Sequence, residues 1–286
     1  NFLNLYFTPI IIIVGLIGNT LSLLVFSVTH LQRLSSSFYL CALALADLGF
    51  LIGLSVVWLN HISIDLYVRR GWCQSVQYLT YVCGFLAMWN VVSFTAERYI
   101  IVYHPLQKDK YCTEKKARIV VFSFVVFSLV MYSCTLWIYD VVVFFNAEKV
   151  CSPLPKYQNV TTILYSIDTV FGCVVPSFLI VVLNVRIMIK IHETAMAITQ
   201  SATKKITRGR SQFRTARMLL ILSSIFVLIN LPSHAFRVHA FVSRFSTGNS
   251  KAPADKFKWH EFFQIIYFLN FAINFFIYSA CGRPFR

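Results

Sequence analysis

Cys83–Leu106 reads CGFLAMWNVVSFTAERYIIVYHPL, and this stretch decides the architecture. An apolar run long enough to cross a bilayer closes on Glu97, Arg98 and Tyr99, and the chain then leaves through His104, Pro105 and Leu106. A charged side chain is expensive in hydrocarbon, so an acid and a base side by side at the end of such a run belong where membrane meets water.

The rest of the chain is built to match. Hydrophobic residues make up 57% of the 286 and charged residues 13%, well under the roughly 25% charged of a soluble domain. Runs of about 20 mostly apolar residues, the length that spans a bilayer, lie near 5–27, 37–58, 76–102, 120–139, 160–189, 218–242 and 259–280. Lipid offers backbone groups no water to bond, so the seven runs predict seven helices packed as one all-α membrane domain over 1–286. A first run followed by six more does not read as a cleaved signal peptide, and the absence of an initiating Met points to trimmed ends.

Charge sets the orientation. If the first terminus lies outside, the cytoplasmic loops collect Arg33, the group Lys108, Lys110, Lys115, Lys116 and Arg118, the group Lys190 to Arg217, and the terminal Arg283 and Arg286. That is most of the 26 basic residues, so the positive-inside rule predicts an outer N-terminus. The net charge of +15 then reads as topology plus attraction to anionic lipid, and not as a nucleic-acid surface.

Glu97-Arg98-Tyr99, followed six residues after its arginine by His-Pro-Leu, resembles the cytoplasmic end of the third span in rhodopsin-like (class A) G-protein-coupled receptors. Further positions arrive in that family's order: Asn19, Asp47, Cys73, Pro105-Leu106, Pro176, Phe226 with Pro232, and Asn274 with Tyr278. The resemblance implies a multi-pass plasma-membrane receptor that couples an outside ligand to a heterotrimeric G protein. It assigns coupling and activation to Glu97, Arg98, Tyr99, Pro105, Leu106, Asn274 and Tyr278. It places Asn19 and Asp47 in a polar core, which Asn230 and Asn270 are expected to extend, and makes Pro176, Phe226 and Pro232 the hinge. It also implies a disulfide between Cys73 and Cys151, which an oxidising exterior permits. An unpaired carboxylate at mid-membrane costs at least ~2.5 kcal/mol, so Asp47 should face the bundle interior. There it could hold a sodium ion, the one metal expected.

Several positions depart from the family pattern. Asn230 replaces the usual Trp two residues before Pro232, and Phe275 replaces the Pro after Asn274. Asn184 stands where the fifth span most often carries Tyr, and the fourth span has Trp137 near its outer end but none in its middle. A polar link from Asn230 to Asp47 through water and Asn270 or Asn274 is expected. Gln212 and Arg214 occupy the start of the sixth span, where many relatives carry an acid, so weak closed-state restraint and some ligand-free signalling are expected.

Thr80 occupies the place where amine receptors carry Asp, and the last span has no mid-helix Lys for a retinal Schiff base. The outer half offers Gln77, Thr80, Tyr81, Asp168, His234, Arg237 and Tyr267 as ligand-binding residues. This polar and aromatic mouth suits a short peptide, with Arg237 binding a carboxylate or amide oxygen and Asp168 a basic side chain. Alternatively the two charges pair with each other and only hold the helices. INLPSHAFR (229–237) and NFAINFFIYSACGRPFR (270–286) look like invertebrate neuropeptide receptors of the FMRFamide and CNMamide kind, which implies an amidated peptide.

The rival readings are a chemosensory receptor for small molecules on the same fold and a transporter, though no matching halves mark inverted repeats. No cofactor is expected. No nucleophile, base and orienter occur together, so no enzyme is expected either. The sequon Asn159-Val160-Thr161 lies so close to the membrane that it should stay unmodified.

Overall fold

The computed structural model describes residues 2–28, 35–143, 149–200, 207–247 and 254–281. Its seven helices long and apolar enough to cross a membrane are Asn4–Val28, Ser35–Ile62, Trp72–Tyr103, Glu114–Ile138, Pro155–Thr194, Leu219–His239 and Glu261–Ala280. They are called the first to seventh spans below.

The third span is the most deeply buried, and its Val91 and Phe94 belong to one apolar core with Leu43 and Leu51 of the second span, Leu222 and Phe226 of the sixth and Phe271 of the seventh. Small residues let backbones approach where the hydrophobic effect gives helices no mutual attraction. A Cβ at Gly49 would stand 2.6 Å from Cys83 Sγ, and one at Gly53 2.7 Å from Thr80 Cγ2, so the second span lies directly on the third. Apolar side chains left outside, such as Ile13, Phe122, Val130, Phe178 and Phe276, form the surface that hydrocarbon covers.

One helix breaks its regular winding and another carries a proline within it. In the fifth span Val170–Val174 is a π-turn, in which the Val175 N–H donates to the Val170 carbonyl. The frame shift leaves the Phe171 carbonyl to Pro176, which has no N–H to give. Trp89 of the third span donates its indole N–H to that carbonyl instead, at 3.0 Å. In the sixth span Pro232 lies within the helix Thr207–Thr247. The polar stretch from His192 to Arg214 contributes to the helices Val175–Gln200 and Thr207–Thr247, with 201–206 outside the described residues.

The fourth span differs from the expected 120–139. Its helix starts at Glu114 under a Thr113 N-cap and ends at Tyr132, a turn Thr135–Ile138 follows, and Tyr139 already belongs to a strand. Hydropathy misses the polar first turn, which the cap and acidic Glu114 stabilise. The strand β1 (Tyr139–Val143) pairs antiparallel with β2 (Lys149–Pro153), with Val141 opposite Cys151. The Cys73–Cys151 disulfide, with Cα atoms 5.6 Å apart, ties this hairpin to the start of the third span.

Candidate functional site

A cavity of about 600 Å³ opens at the hairpin end of the bundle, within the 300–1,000 Å³ typical of ligand sites. Gln77, Thr80, Tyr81, Asp168, His234, Arg237 and Tyr267 all line it. Gln77 donates from Nε2 to the Tyr67 hydroxyl, and burial pushes that phenol above its ordinary pKa, so it stays a neutral acceptor. Thr80 turns its hydroxyl back on the Val76 carbonyl at 3.0 Å. Tyr81 meets the Tyr139 hydroxyl at 3.3 Å and stacks on Tyr132 with centroids 5.3 Å apart.

Asp168 and Arg237 form an ion pair between the fifth and sixth spans. Asp168 Oδ2 accepts from Arg237 Nη2, and Oδ1 accepts from the Tyr132 hydroxyl of the fourth span. The carboxylate is thus committed on both oxygens. The guanidinium lies over the Tyr165 ring, 4.9 Å from its centroid, and of its five N–H donors only one goes to Asp168 among the described residues. Exposure divides the same way, 28% for the Arg237 side chain and 8% for Asp168. Hence the partnership of the two charges, one of the two readings the sequence left open, exists, and it leaves the arginine facing the cavity. Tyr132 and Gly172 were missed. A Cβ at Gly172 would lie 2.8 Å from Asp168 Oδ1, so this glycine makes room for the carboxylate.

Below the cavity lies a polar core. Fully buried Asp47 accepts from Asn274 Nδ2 at 2.7 Å, and Asn19 Nδ2 reaches the Phe271 carbonyl at 2.7 Å. Asn230 donates its Nδ2 to the Phe226 carbonyl one turn back, at 2.8 Å, while its Oδ1 is buried without a partner among the described residues. An amide on a proline-bearing helix can serve its own backbone. Asn184 ties the fifth span to the sixth, accepting from Ser223 at 2.9 Å and donating to Ser224 at 3.3 Å. The side chains of Gln212 and Arg214, with Arg283 to Arg286, lie outside the described residues.

At the opposite end Glu97 and Arg98 are both buried, their nearest charged atoms 3.7 Å apart. Ser36 of the second span stands between them. Its hydroxyl donates to Glu97 Oε1 at 2.6 Å and accepts from Arg98 Nη2. The run Ser35-Ser36-Ser37 was the available signal for this clasp, but serines on one helix do not announce which charges they meet. Arg98 Nε is buried without an acceptor among the described residues. Tyr99 stacks on Tyr103 with centroids 4.6 Å apart, Tyr278 packs edge-on against Phe26 at 5.3 Å, and Leu106 beyond Pro105 is 98% exposed.

Residues 18–278 match the family described as 7 transmembrane receptor (rhodopsin family). The thyrotropin-releasing hormone receptor of Mus musculus is 26% identical over 95% of this chain and 74% of its own length. Somatostatin receptor type 2 of Mus musculus is 23% identical over 97% of this chain and 73% of its own. An FMRFamide peptide receptor of Caenorhabditis elegans is 30% identical over 38% of this chain and 27% of its own. A seven-span bundle with a cavity at one end and a buried Glu-Arg clasp at the other is the layout of a signalling receptor, and the chain belongs to the seven-transmembrane receptors of the rhodopsin family.

Proposed function

We propose that the chain, as one receptor domain in the plasma membrane with its N-terminus outside, receives a short amidated peptide in the cavity and activates a heterotrimeric G protein at the Arg98 end. The observation that carries the ligand class is the uneven exposure of the Asp168–Arg237 pair, 28% against 8%. A basic ligand group would have to displace Tyr132 and Arg237 from a carboxylate already satisfied. An acceptor needs to displace nothing. The oxygen of a terminal carboxamide can take the spare N–H groups of Arg237, while aromatic side chains of the peptide pack on Phe50, Tyr81 and Tyr267. Relatives named for thyrotropin-releasing hormone, somatostatin and FMRFamide peptides support a peptide over an amine or a retinoid.

Binding shifts the bundle only by as much as the open arrangement is preferred over the closed one. Arg237 lies on the sixth span beyond Pro232, so a ligand that draws it in biases the helix at its pivot. The cytoplasmic half of that span swings out, Arg98 leaves Ser36 and turns toward Tyr278, and the opened cleft takes the C-terminal helix of a G-protein α subunit beside Leu106. Asp47 Oδ1 and Asn270 Oδ1 are buried oxygens without partners among the described residues, a donor set that suits a hard monovalent cation such as sodium in the closed state.

The test is a screen of amidated peptides against calcium and cyclic AMP readouts, repeated on Arg237→Ala. Loss of one charge-assisted hydrogen bond, about 1.5–3 kcal/mol, predicts at least a tenfold fall in potency for any active peptide. A peptide equally potent on both receptors would remove the acceptor reading.

A further inference from the structure

The sixth span lines one wall of the cavity from Arg237 through His234, Ser233 and Asn230 to Phe226. Seven positions separate Arg237 from Asn230, roughly 10 Å at the helical rise of 1.5 Å per residue, so the cavity continues well past the Asp168–Arg237 pair. Its floor has a chemistry of its own. Phe50, Met88, Phe226 and Phe271 wall it with buried apolar groups, while Gly84 and Ala87 of the third span line it with almost no side chain.

Asn230 is the polar group left over in this floor. Its Nδ2 is committed to the Phe226 carbonyl, which fixes the amide's orientation, and fully buried Oδ1 has no donor among the described residues. A buried acceptor without a donor is unfavourable, and a ligand that brings the donor relieves it. Asn270 Oδ1, the other unpartnered oxygen here, is the one assigned above to the cation beside Asp47, which leaves Asn230 Oδ1 for the ligand.

The surroundings select the donor. A cation in the floor would meet no free carboxylate, because Asp168 is taken on both oxygens, and the Arg237 guanidinium lines the same cavity. The donor is therefore neutral. Apolar walls favour a flat ring, which buries a large area with few torsions to freeze. A phenol carries its O–H at the tip of that ring, the part that reaches the floor first.

We propose that Asn230 Oδ1 makes the cavity floor a subsite for a phenol, the side chain of a tyrosine in the peptide whose carboxamide oxygen reaches Arg237. This rests on the peptide reading of the cavity and adds a specificity-determining residue to it: tyrosine is preferred to phenylalanine at that place in the ligand.

The experiment uses the full chain in phosphatidylcholine nanodiscs, with 4-fluorophenol and fluorobenzene as probes, saturable binding read by fluorine NMR and empty nanodiscs as the blank for partition into lipid. The wild type should bind 4-fluorophenol at least about tenfold more tightly than fluorobenzene, as one neutral hydrogen bond allows. Asn230→Leu, of nearly the same shape, should erase the difference, and Asn230→Trp, which fills the floor, should remove saturable binding of both. Equal affinity of the two probes in the wild type, as when water alone satisfies the oxygen, would overturn the subsite. So would discrimination that survives in Asn230→Leu, or saturable phenol binding in Asn230→Trp. Should the variants fail to fold, the wild type decides with 4-fluoroanisole, which keeps the oxygen and lacks the hydrogen: binding tenfold weaker than that of the phenol supports the subsite and equal binding overturns it. The fragments need no peptide, so phenol bound beside a peptide screen without a hit removes the peptide reading alone, whereas an active peptide beside fragments that bind equally removes the subsite alone.

Discussion

Ser36 does at the residue scale what a direct Glu97–Arg98 contact does not. With the charges 3.7 Å apart, its hydroxyl carries the link, and a buried hydrogen bond to a charged group is worth about 1.5–3 kcal/mol. Ser36→Ala should therefore lower the melting temperature of the purified receptor and raise ligand-free nucleotide exchange, whereas Ser36→Thr keeps the hydroxyl and should change neither much. An unaltered basal rate in the alanine variant would mean that the clasp does not restrain the closed state. Gly172 offers a second single-residue test. A methyl group 2.8 Å from Asp168 Oδ1 must push the carboxylate off Tyr132 and Arg237, so Gly172→Ala should reduce peptide potency in concentration–response curves without reducing surface expression. Cys112 gives a pH test. Burial, with the charge of Glu97 behind it, pushes this thiol from 9.0 up to about 11. Both folded and unfolded chains hold the proton below the ordinary value; between the two values only the unfolded chain has ionised, so the fold loses stability as pH rises through that window. Peptide-level mapping should find Cys112 resistant to iodoacetamide in the folded receptor at neutral pH, and labelled as pH approaches 11 or on unfolding.

At the scale of elements the fifth span is the most informative. Its π-turn, Pro176 and Trp89 form one account of backbone hydrogen bonds, since in lipid no water can serve the Phe171 carbonyl. Trp89→Phe removes the only donor to that carbonyl among the described residues and should cost about 1–3 kcal/mol of stability. Adding Pro176→Ala supplies an N–H in the shifted frame and should recover part of the loss, which thermal unfolding of the single and double variants would measure. Independent effects that simply add would show that the bulge and the indole are unrelated. The sequence made the seven apolar runs, the hairpin-side cysteines and the in-helix prolines legible, because each is a local property of composition or backbone chemistry. It did not show Tyr132 against Asp168, Ser36 inside the Glu97–Arg98 clasp, or Asn230 bonding its own helix. Those depend on which faces of separate helices meet, and a tyrosine or serine in an apolar run looks the same whether it meets a charge or a carbonyl. The early start of the fourth helix was hidden for a simpler reason: its first turn, Glu114 to Arg118, is polar.

For the whole molecule, two charged contacts in an apolar bundle are the ends of the switch in the proposed mechanism. Asp168–Arg237 joins the fifth and sixth spans beside the cavity, and the Ser36-bridged clasp holds the third span to the second at the other end. In the proposed mechanism Pro232 and the Asn184–Ser223 link set how the sixth span moves against the fifth. In that mechanism a ligand acting on Arg237 alters the surroundings of Arg98 by moving the sixth span, so the two ends are tested together. The direct measurement is guanine-nucleotide exchange on purified heterotrimeric G proteins, driven by the full chain in nanodiscs with and without an active amidated peptide, for the wild type and Arg98→Ala. Peptide-stimulated exchange in the wild type, abolished in Arg98→Ala while peptide binding persists, is the predicted result. Exchange equally stimulated in both, or stimulated in neither across the G-protein classes although the peptide binds, would contradict the account.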